Sequence, residues 1–389
     1  MLHAIKRLTA IKRLTAIKCL ALVLALVQSS LRIFVGCCLL SVPVLSVAAD
    51  EEPIVEERLQ NLLKRFPGAD TNKDGILTRE EVRAYQIRYR ENLKKGFARN
   101  SDTTRGAIQP TYADVKYGEH ERNVLDFYQA SSDEPTPLVI YIHGGGFVGG
   151  NKHVPPDRLN GFLDAGISVG AIHYRFVDGK EVLFPTPQQD GARALQFLRS
   201  KAEQWNIDAQ RVACFGSSAG AGISMWIGFH DDLADPMSDD PIKRQSTRIQ
   251  AIGTFGGQST YDPIKIKSLI GGRAWQHPSI FKVYGMTTAD EVLHPTPEKQ
   301  RLYDESSAIT HLTKDDPAIY MVYSEADGPL PDNARPGQGI HHPNFGRDLK
   351  SKMDELDVEN IFVYTRDAGG RDINSEMREF FQRQFEKVK

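Results

Sequence analysis

The stretch Gly216-Ser-Ser-Ala-Gly220 places a serine hydroxyl, Ser218, between two glycines. A short apolar run, Val212 to Phe215, leads into it, and a helix-forming run, Ala221 to Phe229, leaves it. A G-x-S-x-G between a strand and a helix is a nucleophile elbow, a turn tight enough to require small residues on both sides of the serine. Such a turn holds Ser218 Oγ above the sheet edge. It also aims the Ala219 N–H, at the start of the new helix, at an oxyanion forming on a substrate carbonyl. The chemistry expected of this pattern is nucleophilic attack, which requires a nearby base.

The elements that must position this serine alternate along the chain. Residues 113–118 and 122–128 read as an antiparallel pair joined by a polar turn. Residues 137–142 are almost continuously apolar, as expected of a strand buried on both faces. They empty into His143-Gly-Gly-Gly-Phe147, where glycines let the backbone approach a ligand and turn its N–H groups inward. This loop lies about seventy residues before the elbow and fits an oxyanion-hole loop, with Gly144 and Gly145 as donors and His143 as a brace. A strand at 167–175 is followed by a helix with Ala194, Leu195, Leu198, Ala202 and Trp205 on one face. Further strands are expected at 249–255, 317–323 and 360–364. Alternation of this kind predicts a mostly parallel sheet with helices on both faces. The Pro-containing segment 261–303 reads as an insertion over the site, with Trp275 and Phe281 either lining the acyl or alcohol pocket or anchoring the segment to the core.

His143-Gly-Gly-Gly, Tyr174-Arg175, Phe184-Pro185, Asp190 and Gly216-Ser-Ser-Ala-Gly220 together resemble the hormone-sensitive-lipase-like branch of α/β-hydrolase carboxylesterases. The resemblance covers residue 112 to the C-terminus. It implies an eight-stranded, mainly parallel sheet, a Ser-His-Asp triad and hydrolysis of carboxylic esters through an acyl-enzyme. It extends towards esterases that deacetylate or deferuloylate plant polysaccharides, so the expected substrate is a small-molecule or saccharide ester. The family places its triad acid after the strand at 317–323, where Asp327 is the match and Glu325 the nearest competitor. Its helical cap segments precede the catalytic core.

The family's histidine belongs between the last strand and the C-terminal helix. Here that loop reads Thr365-Arg-Asp-Ala-Gly-Gly-Arg-Asp372 and holds no histidine. The candidates nearest the expected carboxyl edge of the sheet are His341 and His342, fourteen and fifteen residues after Asp327. Triads are recognised by geometry and not by chain order, so either could serve as a displaced base or simply brace its loop.

A second chemical pattern precedes the catalytic region. From Asp70 to Glu81, oxygen ligands fall at Asp70, Asn72 and Asp74, with Gly75 at the sharp turn, the Ile76 carbonyl next, then Thr78 and a bidentate Glu81. An amphipathic helix at 56–66 and a second helix running to about residue 94 flank it. The loop resembles an EF-hand, and with no second copy in the sequence it is expected to hold a structural Ca²⁺. No cofactor is expected in the catalytic step.

The first 49 residues combine a basic, acid-free start, built on a duplicated Ala-Ile-Lys-Arg-Leu-Thr, with apolar runs that end at Val47-Ala-Ala49. This is the pattern of an export signal cleaved near Ala49, with an uncleaved membrane anchor as the alternative. Three of the four cysteines lie in this leader, which leaves Cys214 alone in the mature chain and excludes an intramolecular disulfide there. A formal charge of −2 gives no electrostatic case for nucleic acid. The expected organisation is a leader at 1–49, a calcium module at 50–95, a linker at 96–110 and a hydrolase domain at 111–389. The functional expectation is an exported serine carboxylesterase. Two alternatives stand beside it: an impaired α/β-hydrolase that binds a ligand or partner, and a calcium-dependent interaction protein.

Overall fold

The structure is a computed structural model, and it describes residue 63, residues 69–78 and 80–85, and residues 108–388. The leader, most of the helix expected at 56–66 and the linker up to residue 107 lie outside the described residues. The chain divides into two units, residues 1–104 and 105–389.

In the larger unit eight strands form one sheet: β1 (Tyr112–Lys116), β2 (Val124–Tyr128), β3 (Thr136–Ile142), β4 (Ser168–Ile172), β5 (Ile207–Ser217), β6 (Ala251–Phe255), β7 (Ala318–Tyr323) and β8 (Asn360–Tyr364). Their spatial order is β1-β2-β4-β3-β5-β6-β7-β8. β2 runs antiparallel to both β1 and β4, and every pairing from β4 to β8 is parallel. The central strands are apolar on both faces because helices cover both, the condition that a parallel sheet imposes.

Alternation along the strands sorts their side chains into two cores. Leu138, Ile140, Ile142, Cys214, Ile252 and Met321 face one side. There they meet α2 (Thr186–Ser200), α3 (Ala219–Phe229) and α9 (Asn344–Glu355). Val139, Tyr141, Ala213, Phe215, Tyr320 and Val322 face the other, against α1 (Pro156–Asp164) and α10 (Ile373–Glu386). The sequence of α10 fits this role. Asp372 caps it by accepting the Ser375 N–H, and Met377, Phe380, Phe381 and Phe385 recur at helical spacing on its buried face. Truncating Phe380 or Phe381 to alanine would cost about 3–5 kcal/mol by the usual transfer and cavity terms. Helix α3, which follows the serine, is buried all round, so its apolar residues alternate with nothing polar except Ser224. Cys214 is free and fully buried, and burial pushes its thiol up to about 12, which makes it an inert core residue.

Between β6 and β7 the chain forms α4 (Pro263–Ile270), a 3₁₀ turn (Ala274–Gln276), α5 (Pro278–Tyr284), α6 (Ala289–Leu293), α7 (Pro297–Ser306) and α8 (Ala308–His311). This is the segment expected as an insertion. Three of its four prolines, Pro263, Pro278 and Pro297, stand at the first helical positions of α4, α5 and α7, where a missing N–H costs nothing. Trp275 is buried in the core, and Phe281 is partly buried against it.

Candidate active site

β5 ends at Ser217, and α3 begins at Ala219, so Ser218 alone makes the turn. Its φ of 52° and ψ of −121° are unusual for a non-glycine residue and cost on the order of 1–3 kcal/mol. The surroundings hold it there. The Ser218 N–H donates to the Phe255 carbonyl at 2.9 Å, which ties the turn to the end of β6. A Cβ on Gly216 would come within 2.5 Å of the Ile142 carbonyl, and one on Gly220 would run into that same carbonyl. Both glycines of the motif are therefore steric requirements of a turn pressed against the end of β3.

The end of β3 continues into the glycine loop. Gly144 lies beside the nucleophile: a Cβ there would approach Ser218 Cβ to 3.4 Å and the Ser217 carbonyl to 2.8 Å. Gly145 has a φ of 118°, and its carbonyl accepts from the N–H groups of Val148 and Gly149, which curls the loop over the serine. Among the described residues no acceptor takes the N–H of Gly144, Gly145 or Ala219. Free donors beside a nucleophile are what an oxyanion hole supplies. His143 braces the loop. Its ring stacks on Tyr174, its Nδ1 bonds the Gly144 carbonyl at 2.7 Å, and the Tyr174 hydroxyl donates to the His143 carbonyl. Burial holds its pKa at about 4, so the ring stays neutral. Arg175 then locks this region to α2 through a two-pronged pair with the buried Asp190.

His341 is the histidine that meets Ser218. Its Nε2 stands 2.9 Å from Ser218 Oγ, across 123 residues of sequence. Burial lowers its pKa below the ordinary imidazole value, with the Glu325 charge pulling in the opposite direction. The ring packs on Gly256, where a side chain would meet His341 Cβ at 3.1 Å and where φ is 58°. Its neighbour His342 points elsewhere. It is buried, its Nε2 lies 3.3 Å from the Gly328 carbonyl, and its Nδ1 accepts the Asn344 N–H at the start of α9. The two histidines expected as alternatives thus have separate places, and only His341 touches the serine.

The structure does not bring Asp327 to His341. Asp327 is exposed and pairs with Arg347 at 2.8 Å, an ion pair that holds its carboxyl below the usual range. Glu325, two residues earlier in the same loop, bonds the backbone around His341 instead. Its Oε1 accepts the Gly339 N–H at 2.6 Å, and its Oε2 accepts the His341 N–H at 2.8 Å. The carboxylate holds the backbone that carries His341. The physical reason is the base's position: His341 arrives on the β7–α9 connection itself, so the acid nearest the strand meets it and the later one swings out to α9. Gln258 is a further contributor with no sequence signal. It donates to the Ile340 carbonyl, fixing the residue before the base, and accepts from the Tyr261 hydroxyl.

A pocket, open at its mouth, adjoins Ser218. Phe147, Tyr261, Ile266, Ile280, Val283 and Phe345 line it, so its wall is largely apolar and comes mostly from α4, α5 and the loops around them.

The BD-FAE family model matches residues 125–334, more than half of the chain. The chain belongs to the BD-FAE family. The match runs from β2 through the glycine loop, Ser218 and Glu325, and ends before His341. Among curated relatives, a probable carboxylic ester hydrolase of Mycobacterium tuberculosis, LipM, is 26% identical over 223 residues, covering 56% of this chain and 48% of that protein. The ethyl acetate hydrolase of Pseudomonas putida is 36% identical over 102 residues, 25% of this chain and 31% of that protein. The chain thus spans about half the length of the first and under a third of the second. Among solved structures, the acetyl ester-xyloside bifunctional hydrolase of Caldicellulosiruptor lactoaceticus superposes with a TM-score of 0.55 at 17% identity, over 72% of this chain and 98% of that one. The fold of this BD-FAE family member is the α/β-hydrolase fold.

The acidic loop of the smaller unit is folded on itself. Asp70 accepts from the Lys73 and Gly75 N–H groups, Asn72 from Asp74, and Asp74 from Ile76. Gly75 turns with a φ of 82°. Glu81, in a helical stretch at 80–85, reaches back to accept from Thr78 and Thr71. Those bonds, Thr78's first, hold its carboxyl at about 2. Leu77 is buried, while the Ile76 side chain is exposed. Three oxygen-bearing side chains on one turn, closed by an ionised glutamate, form a hard-donor set that fits Ca²⁺.

Proposed function

We propose that this protein is a serine-dependent carboxylic ester hydrolase. The contact between His341 Nε2 and Ser218 Oγ carries the reading, because it supplies the base that the loop before α10 lacks. In this mechanism neutral His341 takes the Ser218 proton as Oγ attacks the ester carbonyl, and the N–H groups of Gly144, Gly145 and Ala219 receive the oxyanion. The tetrahedral intermediate collapses as His341 returns the proton to the leaving alcohol. Water, activated by the same ring, then releases the acid from the acyl-enzyme. Glu325 holds the turn that carries His341 and favours the imidazolium formed in each half-reaction. The apolar pocket beside Ser218 and the likeness to an ethyl acetate hydrolase support short acyl groups as substrates. Acetylated or feruloylated saccharides are the natural esters to which the sequence resemblance points.

The acidic loop completes the reading. Asp70, Asn72, Asp74, the Ile76 carbonyl, Thr78 and Glu81 would hold a Ca²⁺, which would neutralise the loop's charge and cross-link it to the following helix. A structural calcium accords with an exported protein, the location expected from the leader.

The test is hydrolysis of p-nitrophenyl acetate and butyrate by the wild type, Ser218→Ala and His341→Ala. Both variants should lose about six orders of magnitude in kcat, leaving a residual rate about 10³–10⁴ above water from the oxyanion hole and binding. Wild-type turnover equal to that of Ser218→Ala would refute the assignment.

A further inference from the structure

At the far end of α3 from Ser218, about 16 Å away along an eleven-residue helix, three potential metal ligands converge. His230 caps α3, Glu305 lies near the end of α7, and His311 ends α8. Each offers a ring nitrogen or a carboxylate oxygen, and the three atoms lie within 4.8 Å of one another. None of them takes part in the esterase site, and no motif in the sequence announces them.

We propose that His230, Glu305 and His311 bind a divalent transition-metal ion of the Zn²⁺ class, with water completing its coordination. Two imidazoles and a carboxylate are a donor set suited to Zn²⁺, Cu²⁺ or Ni²⁺ and poorly suited to Ca²⁺. The geometry is already close to what a metal needs. Bonds of about 2.0–2.1 Å in a tetrahedron place neighbouring ligand atoms about 3.4 Å apart. His230 Nε2 and Glu305 Oε1 stand 3.4 Å apart. The remaining gap closes by rotation of the Glu305 side chain, which is 40% exposed.

The supports around the ligands also match those of a metal site. His230 Nδ1 stands 2.9 Å from the Asp231 carbonyl; with its proton there, Nε2 carries the lone pair that faces Glu305. The Glu305 carbonyl accepts from both the Trp226 indole N–H and His311 Nε2, each at 2.8 Å. That shared acceptor ties the Glu305 backbone to the indole on α3 and to the His311 ring on α8. Backbone carbonyls that set histidine tautomers in this way typically strengthen metal affinity by tenfold or more. All three residues are half-buried, which leaves a path for the ion from solvent. The bound ion would staple the end of the nucleophile helix to α7 and α8.

Trp226 supplies the readout. Its ring centroid lies 4.3 Å from that of His230 and 6.3 Å from that of His311. The test titrates the full, tag-free protein in millimolar CaCl₂ with Zn²⁺ by calorimetry, and with Cu²⁺ by tryptophan fluorescence. Expected are one Zn²⁺ per chain, a rise in Tm, and Cu²⁺ quenching that Trp226→Phe removes while Zn²⁺ binding persists. His230→Gln and Glu305→Gln should each weaken Zn²⁺ binding at least tenfold. Glu305→Gln leaves the backbone carbonyl in place, so it tests ligation without dismantling the support. No stoichiometric Zn²⁺ binding, or binding unchanged in Glu305→Gln and His230→Gln, would overturn the proposal. Quenching that survives in Trp226→Phe and moves with His341, or with His277 on the wall of the pocket beside Ser218, would assign the ion to that pocket and overturn it equally.

Discussion

Glu325 clasps the turn that carries His341: one carboxylate oxygen accepts the Gly339 N–H at 2.6 Å and the other accepts the His341 N–H at 2.8 Å. His341 is therefore held by its backbone and by its contact with Ser218. Asp327, the acid at the family's position, lies outside this clasp and pairs with Arg347.

This arrangement separates the two carboxylates experimentally. Glu325→Gln should lower kcat roughly tenfold to a hundredfold, the range for losing one charge-assisted bond of about 1.5–3 kcal/mol that steadies the base. Asp327→Asn loses only an exposed ion pair, and its kcat should stay within about twofold, since such pairs contribute 0–1 kcal/mol. Steady-state kinetics on p-nitrophenyl acetate checks both, and a larger loss in Asp327→Asn than in Glu325→Gln would reverse the roles.

The pH profile follows from the same pair. His341 acts as a base only when neutral, and burial lowers its pKa from the ordinary value near 6.5. The acid limb of kcat/KM, which reports the free enzyme, should therefore fall below pH 6.5. Glu325 raises the His341 pKa, so its neutralisation in Glu325→Gln should move that limb further towards acid. A limb above pH 6.5 in the wild type would contradict the buried base.

His342 predicts a contrast with its neighbour. Its ring is buried between the Gly328 carbonyl and the Asn344 N–H and does not reach Ser218. His342→Ala should lose stability, by about 1–3 kcal/mol for unsatisfied partners in a buried site, and retain measurable turnover. Urea unfolding and the ester assay together distinguish this from His341→Ala, which should lose turnover without a comparable loss of stability.

Ile280 and Val283 close one side of the pocket beside the serine. Ile280→Ala should raise the ratio of hexanoate to acetate turnover several-fold, because each added methylene that finds apolar contact contributes about 0.8 kcal/mol. An unchanged ratio would place the acyl group elsewhere.

The acidic loop gives a prediction independent of catalysis. Millimolar Ca²⁺ should raise the Tm of the wild type and leave Glu81→Ala unmoved, as expected for the loss of a bidentate ligand. Differential scanning calorimetry with and without chelator makes the comparison.

The sequence alone determined the features that are local. Gly216 and Gly220 are legible because a turn this tight excludes a Cβ, and the steric clash with Ile142 is the reason. Apolar runs such as 137–142 and 317–323 predict strands covered on both faces, and the spacing at 377, 380, 381 and 385 predicts the helix that covers one of them. The spacing from Asp70 to Glu81 is likewise a property of one short loop. The tertiary structure decided what depends on distance across the sheet. His341 and His342 are adjacent and chemically identical, and only the course of the β7–α9 connection turns one ring to Ser218, 123 residues away, and the other inward. Glu325 and Asp327 are separated in the same way by where α9 begins. His230 at the end of α3, Glu305 on α7 and His311 on α8 are brought together by the packing of those three helices. Periodicity and spacing record how a chain folds next to itself; which loop ends meet is set by strand order and helix packing.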